Sequence, residues 1–234
     1  MDTSSESPFE PSYEAVTTRL RAAYDGSVAV REAHDPEPWR LAVREGFLTL
    51  LRAEDKSTLL EIGAGAGKDS LFFQEQGLDV TCVDLSPGLV EACRQKGLRA
   101  FERDFLHLGF PPTSFDAVYA INCLLHVPKR ELPAVLTAVQ TVLKPHGLFF
   151  LGLWGGVDSE HVWDGDSYEP KRFFSLHTDD ALRAAVRPFF AEMDFRTLEV
   201  GPNPALHFQR LYLRQQSVGD IQNLNLESFW RERI

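Results

Sequence analysis

Glu61-Ile62-Gly63-Ala64-Gly65-Ala66-Gly67-Lys68-Asp69 decides the reading of this chain. It follows a short apolar run, Thr58–Ile62, and precedes a helical pattern over Asp69–Gln76. Glycines at alternate positions permit a sharp turn and bring bare backbone close to a ligand. The stretch therefore predicts strand, tight turn and helix, with the turn offered to something bound. A dinucleotide loop of the form G-x-G-x-x-G beginning at Gly63 needs glycine at position 68, where Lys68 stands. Glu61 also places a carboxylate at the mouth of the strand. That charge is a poor neighbour for a pyrophosphate and a good one for an ammonium or a sulfonium.

Outward from the turn, apolar runs alternate with helical segments. The runs are Val80–Val83, a weaker one at Leu98–Phe101, Phe115–Ile121 and Leu148–Leu153. Helical patterns fall between them at Asp69–Gln76, Leu89–Lys96 and Arg130–Leu143, with Gly77, Gly97 and Gly147 where helix ends or tight turns need glycine. This alternation predicts a parallel sheet covered on both faces. Two further runs, Phe195–Val200 and His207–Arg214, joined by Gly201-Pro-Asn-Pro204, predict an antiparallel C-terminal hairpin. Upstream, Val16, Leu20 and Tyr24, and then Trp39, Val43, Phe47 and Leu51, recur at helical spacing. They predict two N-terminal helices, the second opened by Asp35-Pro36. The expected fold is a Rossmann-like α/β domain over residues 13–216, with a mostly parallel seven-stranded sheet, helices on both faces and that hairpin. Residues 1–12 are expected to be disordered, residues 154–177 to form an irregular insertion, and residues 217–234 to form a tail whose Leu224, Phe229 and Trp230 dock on the domain or a second copy.

Asp84 lies nineteen residues after Gly65, at the tip of the second strand. An acidic side chain there can accept both hydroxyls of a ribose in charge-assisted hydrogen bonds; it also opens a helix well in Asp-Leu-Ser-Pro. Taken together, Glu61-x-Gly63-x-Gly65-x-Gly67, Asp84, Arg103-Asp104-Phe105, Phe115-Asp-Ala-Val-Tyr and Leu143-Lys-Pro-His-Gly147 closely resemble the class I S-adenosylmethionine-dependent methyltransferases, in order and interval, over roughly Tyr24 to Arg214. The resemblance implies S-adenosylmethionine as cofactor and S-adenosylhomocysteine as product. It implies cofactor contacts from Gly63, Ala64, Gly65 and Gly67, from Glu61 and Asp69, from Asp84 with Leu85, and from Asp104 at the adenine amino group with Phe105 against the ring. Asn122 and Cys123 would line the methionine end, and Tyr24 would close over the cofactor. His146 departs from the pattern, standing where a glycine is common.

Methyl transfer is an in-line displacement, for which the protein holds the acceptor about 3–3.5 Å from the methyl carbon. His126, in Asn122-Cys-Leu-Leu-His126-Val-Pro, follows the fourth strand. With an ordinary pKa near ~6.5 it is the candidate general base; a packed histidine that orients the loop is the other reading. Asp69 either complements the helix N-terminus or faces the methionyl amine or the acceptor. Trp163 and Tyr168 of the insertion are candidate acceptor contacts, as are Trp154 and His207, though the last two also fit a core or pocket wall. A metal is not expected, because past Asp116 no carboxylate appears before Glu131.

The 234 residues suffice for one such domain and not for two. A formal net charge of -10 gives no global attraction for nucleic acid or an anionic membrane, so the expected partner is a small-molecule acceptor, with the chain a monomer or homodimer. Three sparse cysteines, no signal peptide and no bilayer-length apolar run point to the cytoplasm. Three other readings stay open: a nicotinamide-dependent oxidoreductase on a similar fold, a non-catalytic S-adenosylmethionine-binding module, and an aminopropyl transferase using the decarboxylated cofactor.

Overall fold

A computed structural model describes residues 12–216 apart from positions 202 and 204. The expectations for residues 1–11, for the tail 217–234 and for the prolines of the hairpin turn lie outside the described residues. In chain order the helices are α1 (Tyr13–Asp25), α2 (Val28–Ala33), α3 (Pro38–Ala53), α4 (Lys68–Glu75), α5 (Pro87–Gln95), α6 (Leu132–Val142) and α7 (Asp179–Val186). The strands are β1 (Thr58–Ile62), β2 (Asp79–Asp84), β3 (Arg99–Glu102), β4 (Phe115–Ile121), β5 (Leu143–Gly155), β6 (Ser159–Val162), β7 (Phe173–Leu176), β8 (Phe190–Leu198) and β9 (His207–Gln215), with a 3-10 turn at Leu124–His126.

Seven strands form one sheet in the order β3-β2-β1-β4-β5-β9-β8. The first five are parallel, and β9 runs antiparallel to both β5 and β8. The side-chain period of two sorts each strand between two cores. Leu60, Ile62, Val118 and Ala120 face α6 and α7, meeting Val135, Val139 and Leu182. Their neighbours Leu59, Ala117, Tyr119 and Ile121 face α3 and α4, meeting Val43, Phe47, Leu51 and Phe73. Phe47 is fully buried, edge-on to Phe73 and tilted against Tyr119 and Phe150. Burying such a ring contributes about 1.5–3 kcal/mol. Chain order reverses between β1 and β4, which opens a crevice beyond their carboxyl ends, where open α/β sheets bind ligands.

Four features differ from the sequence expectation. The N-terminal segment holds three helices, and α3 starts at Pro38 after an extended Glu37, so Asp35-Pro36 is not its opening. β5 runs on through Trp154 to Gly155, because eight of its residues pair with β9. The insertion is not an irregular loop: β6 and β7 pair antiparallel as a two-stranded ribbon. Near the start of β5, where Gly147 was expected to make the tight turn, the left-handed residue is His146 (φ 59°) and not Gly147.

Candidate functional site

The glycine turn takes the shape its residues allow. Gly63, Gly65 and Gly67 all have positive φ (67°, 57° and 76°). A side chain on Gly63 would overlap Cys123, and one on Gly67 would meet Leu98 Cδ1 at 2.7 Å and Cys93 Sγ at 2.8 Å. Gly67 thus packs the turn onto α5, while Gly63 and Gly65 open onto a cavity at the β1/β4 crevice. Asp84, Leu85, Phe105, Asn122 and Cys123 line it from the ends of β2, β3 and β4. Tyr24 of α1 and His126 of the 3-10 turn cover it.

Asp84 fastens the turn. One carboxylate oxygen accepts from Gly65 N at 2.8 Å and the other from Ser86 N at 2.9 Å. Burial raises its pKa above the usual carboxylate range, against the pull of those two amides and of Arg31. It is therefore a loop anchor and a wall of the cavity at once, and the helix-opening part falls to Ser86, whose hydroxyl accepts from Leu89 N. Asn122 is held at φ 52°, and its side-chain carbonyl oxygen is buried with no partner. A buried acceptor left unpaired costs free energy that a bound donor would recover.

Glu61 and Asp69 form a second layer. Glu61 is buried under the turn and accepts from Ser70 Oγ, with its other oxygen unpaired. Burial, and then the charge of Asp69, raise its pKa well above the ordinary value. The fixed negative charge expected at the strand mouth is thus weakened in the free site. Asp69 does not face the cavity. Both its oxygens are taken by α3, through Arg40 at 2.7 and 3.1 Å and Arg44 at 3.1 Å. Ala64 lines a neighbouring hollow together with Arg31, Arg40 and Lys68.

His126 differs from a free base. Its Nδ1–H donates to the Phe173 carbonyl at 2.7 Å and its Nε2 lies 2.7 Å from the Tyr24 hydroxyl. Burial pushes its pKa down to about 3. Nε2, the ring nitrogen left to accept, is thus engaged by the Tyr24 hydroxyl, and both side chains line the cavity. Asp104 is turned into its own loop, accepting from Leu106 N at 2.8 Å and lying 3.0 Å from His107 Nδ1, and is not part of the cavity wall. Trp154 packs edge-on against Trp39, and His207 Nε2 pairs with Asp179 at 2.7 Å; neither reaches the cavity. Trp163 is 49% exposed at the ribbon. Tyr168 sits edge-on to Tyr24 with ring centroids 5.5 Å apart.

Sequence reading passed over Arg31, Leu20 and Leu89, which also line the cavity. It also left Arg172 without a part in the site. No motif announces them, since each comes from a helix or ribbon folded over the crevice and not from the sheet.

Residues 59–147 match the family described as a methyltransferase domain. A sterol 24-C-methyltransferase of Gibberella zeae is 39% identical over 75 residues, which is 32% of this chain and 18% of that protein. A ubiquinone biosynthesis O-methyltransferase of Xanthomonas oryzae pv. oryzae is 33% identical over 135 residues, 55% of this chain and 54% of that protein. The chain thus spans under a fifth of the one relative and about half of the other. Among solved structures, the 1,6-didemethyltoxoflavin-N1-methyltransferase of Burkholderia thailandensis, crystallised with 1,6-didemethyltoxoflavin and S-adenosylhomocysteine, superposes with a TM-score of 0.70 at 22% identity, over 91% of this chain and 93% of that one. The sheet order, the glycine turn and the matched segment agree: residues 59–147 match a methyltransferase domain, set in a chain with the same fold as the solved N1-methyltransferase.

Proposed function

We propose that the cavity holds S-adenosylmethionine and that the chain transfers its methyl group to an oxygen or nitrogen of a small molecule. The carrying observation is that one cavity brings together Asp84, the bare backbone of Gly63 and Gly65, and the unpaired carbonyl oxygen of Asn122. Those groups suit a ribose diol, a close-lying chain and an N–H donor respectively. The cofactor would supply an electrophilic methyl on a positively charged sulfur. Asp84 and Leu85 would hold the ribose, Phe105 would flank the adenine, and Asn122 and Cys123 would border the methionine end. Arg31, Arg40 and Lys68, gathered at the adjoining hollow, suit a carboxylate.

The protein's own work is orientation and exclusion of water. Tyr24 and Leu20 of α1 cover the cavity, so the nucleophile must be presented in line beneath them. A small acceptor is favoured over a polyanion by the net charge of -10. The relatives carry sterol, ubiquinone-pathway and toxoflavin substrates in their names, which are small molecules with different accepting atoms. The three cysteines are free and buried, which supports action in a reducing compartment such as the cytoplasm. Among the described residues no helix is long and apolar enough to cross a membrane.

The test combines binding and turnover. S-adenosylmethionine carrying a labelled methyl is incubated with the protein and a panel of phenols, hydroxyquinones and heterocyclic amines. Label transferred to at least one acceptor is the expected result. Cofactor binding with no transfer to any acceptor class, including a small-molecule extract of the source cells, would favour a binding module.

A further inference from the structure

The hydroxyl of Tyr24 is held from two sides. Arg172 Nη1 donates to the phenol oxygen at 3.1 Å. On the other side, His126 Nδ1–H donates to the Phe173 carbonyl, which leaves Nε2 as the acceptor of a neutral imidazole and makes the phenol the donor at 2.7 Å. Arg172 is itself fixed. Asp166 accepts from its backbone N at 2.9 Å and from Nε and Nη2 at 2.8 Å each, and its guanidinium lies 3.7 Å from the Tyr168 ring centroid. Three distant parts of the chain, α1, the turn after β4 and the β6–β7 ribbon, thus converge on one phenol at the cavity wall.

Resting on the cofactor reading above, we propose that Tyr24 takes the acceptor's proton during methyl transfer, that His126 Nε2 receives Tyr24's own proton, and that Arg172 is the positioning residue that sets this direction. The acceptor is then a nucleophile carrying an O–H or N–H. The bond from sulfur to methyl breaks as the bond from methyl to the acceptor's oxygen or nitrogen forms. The acceptor's proton passes to the Tyr24 oxygen, and the phenol's original proton passes to His126. The positive charge lost from the sulfonium reappears on the imidazolium, so the net charge of the cavity is unchanged.

The electrostatics favour that order. Facing the phenol are Arg172 from the ribbon, with Asp166 behind it, Arg31 of α2 at 5.8 Å from the ring, Tyr168 and His126. Burial raises the phenol's pKa, against the pull of the two arginines, so it stays protonated in the free site. His126 is a weak base there because burial, with Arg172 and Arg31, opposes a second charge. Discharging a sulfonium in the same cavity removes one of the opposing cations, so the imidazole gains basicity as the methyl departs.

The test needs no acceptor. The full chain, labelled with carbon-13 at tyrosine Cζ, is titrated by NMR in complex with S-adenosylmethionine and, separately, with S-adenosylhomocysteine. Tyr24→Phe identifies the signal. Tyr24 is expected to ionise at lower pH beside the sulfonium than beside the thioether, and Arg172→Gln is expected to raise its transition by at least one pH unit. Arg172→Lys, which keeps the charge and loses the fork, should raise it less, and it serves if the glutamine variant does not fold. Both ligands bound with one Tyr24 transition in both complexes, or in wild type and the Arg172 variants alike, would mean a structural tie and would overturn the proposal alone. Neither ligand binding would overturn the cofactor reading and the proposal with it.

Discussion

Replacing Asp166 with alanine should loosen the β6–β7 ribbon selectively. The Asp166 side chain is fully buried and accepts three hydrogen bonds from Arg172, whose side chain is 14% exposed. Removing one member of a buried pair costs about 3–5 kcal/mol. Arg172 would keep its contacts with Tyr24 and Tyr168, so the lower end, about 3 kcal/mol, applies here. Among the described residues the ribbon pairs only within itself in sheet terms, so the loss should appear as local opening. Amide exchange across Ser159–Val162 and Phe173–Leu176 should quicken by about two powers of ten, since each ~1.4 kcal/mol is tenfold. The melting temperature should fall by less than the ~6–12 °C that 3 kcal/mol would produce if the whole domain felt it. Burial alone would raise Asp166, but the bonds from Arg172 outweigh it and hold the carboxyl below its ordinary value. A depressed carboxyl stabilises the fold above its unfolded pKa, ~3.9, and that contribution is lost as pH falls through the folded value. The difference between wild type and variant should therefore shrink below about pH 4. Ribbon exchange unchanged within threefold at neutral pH would mean that the Asp166–Arg172 pair does not hold the ribbon.

Glu61→Gln should gain stability relative to wild type as pH rises. Burial and Asp69 raise the folded pKa of Glu61, so above the unfolded value, ~4.3, folding takes up a proton and wild-type stability falls with pH, by up to ~1.4 kcal/mol per unit. Melting temperatures of both proteins from pH 5 to 8 check this, and a constant difference would contradict it. His146→Gly should stabilise. The left-handed backbone at φ 59° costs a residue with a side chain about 1–2 kcal/mol, and glycine gives back about 0.5–1 in unfolded-chain entropy. The melting temperature should rise by about 1–4 °C, and a fall would show that the imidazole makes up for its backbone.

The sheet was largely legible because its strands carry their own period. Leu59 and Leu60, or Tyr119 and Ala120, must part to opposite faces whatever else the chain does. The glycine turn and Asp84 were legible for a related reason: positive φ at three nearby positions and an acid at a strand tip are demands of backbone geometry. The covering parts were not. Asp69 read equally as a helix-end charge and a ligand contact, and its partners Arg40 and Arg44 lie on a helix whose docking no local pattern states. His126 was visible as a residue, yet its second bond comes from Phe173, 47 positions away. The ribbon looked irregular because its two strands have only four residues each. Such pieces are fixed by what they meet, as Arg172 is by Asp166 and Tyr24.

The β1/β4 cavity is proposed to take S-adenosylmethionine, with Asp84 as its ribose-side wall. Isothermal calorimetry with S-adenosylhomocysteine tests it most directly, on wild type and on an Asp84→Ala variant whose folding is confirmed by its thermal transition. Single-site binding to wild type, no binding of NAD, and a loss of about 1.5–3 kcal/mol in the variant, roughly 10- to 150-fold in affinity, are expected. No heat with S-adenosylhomocysteine, a preference for NAD, or the same affinity in a folded variant would contradict it.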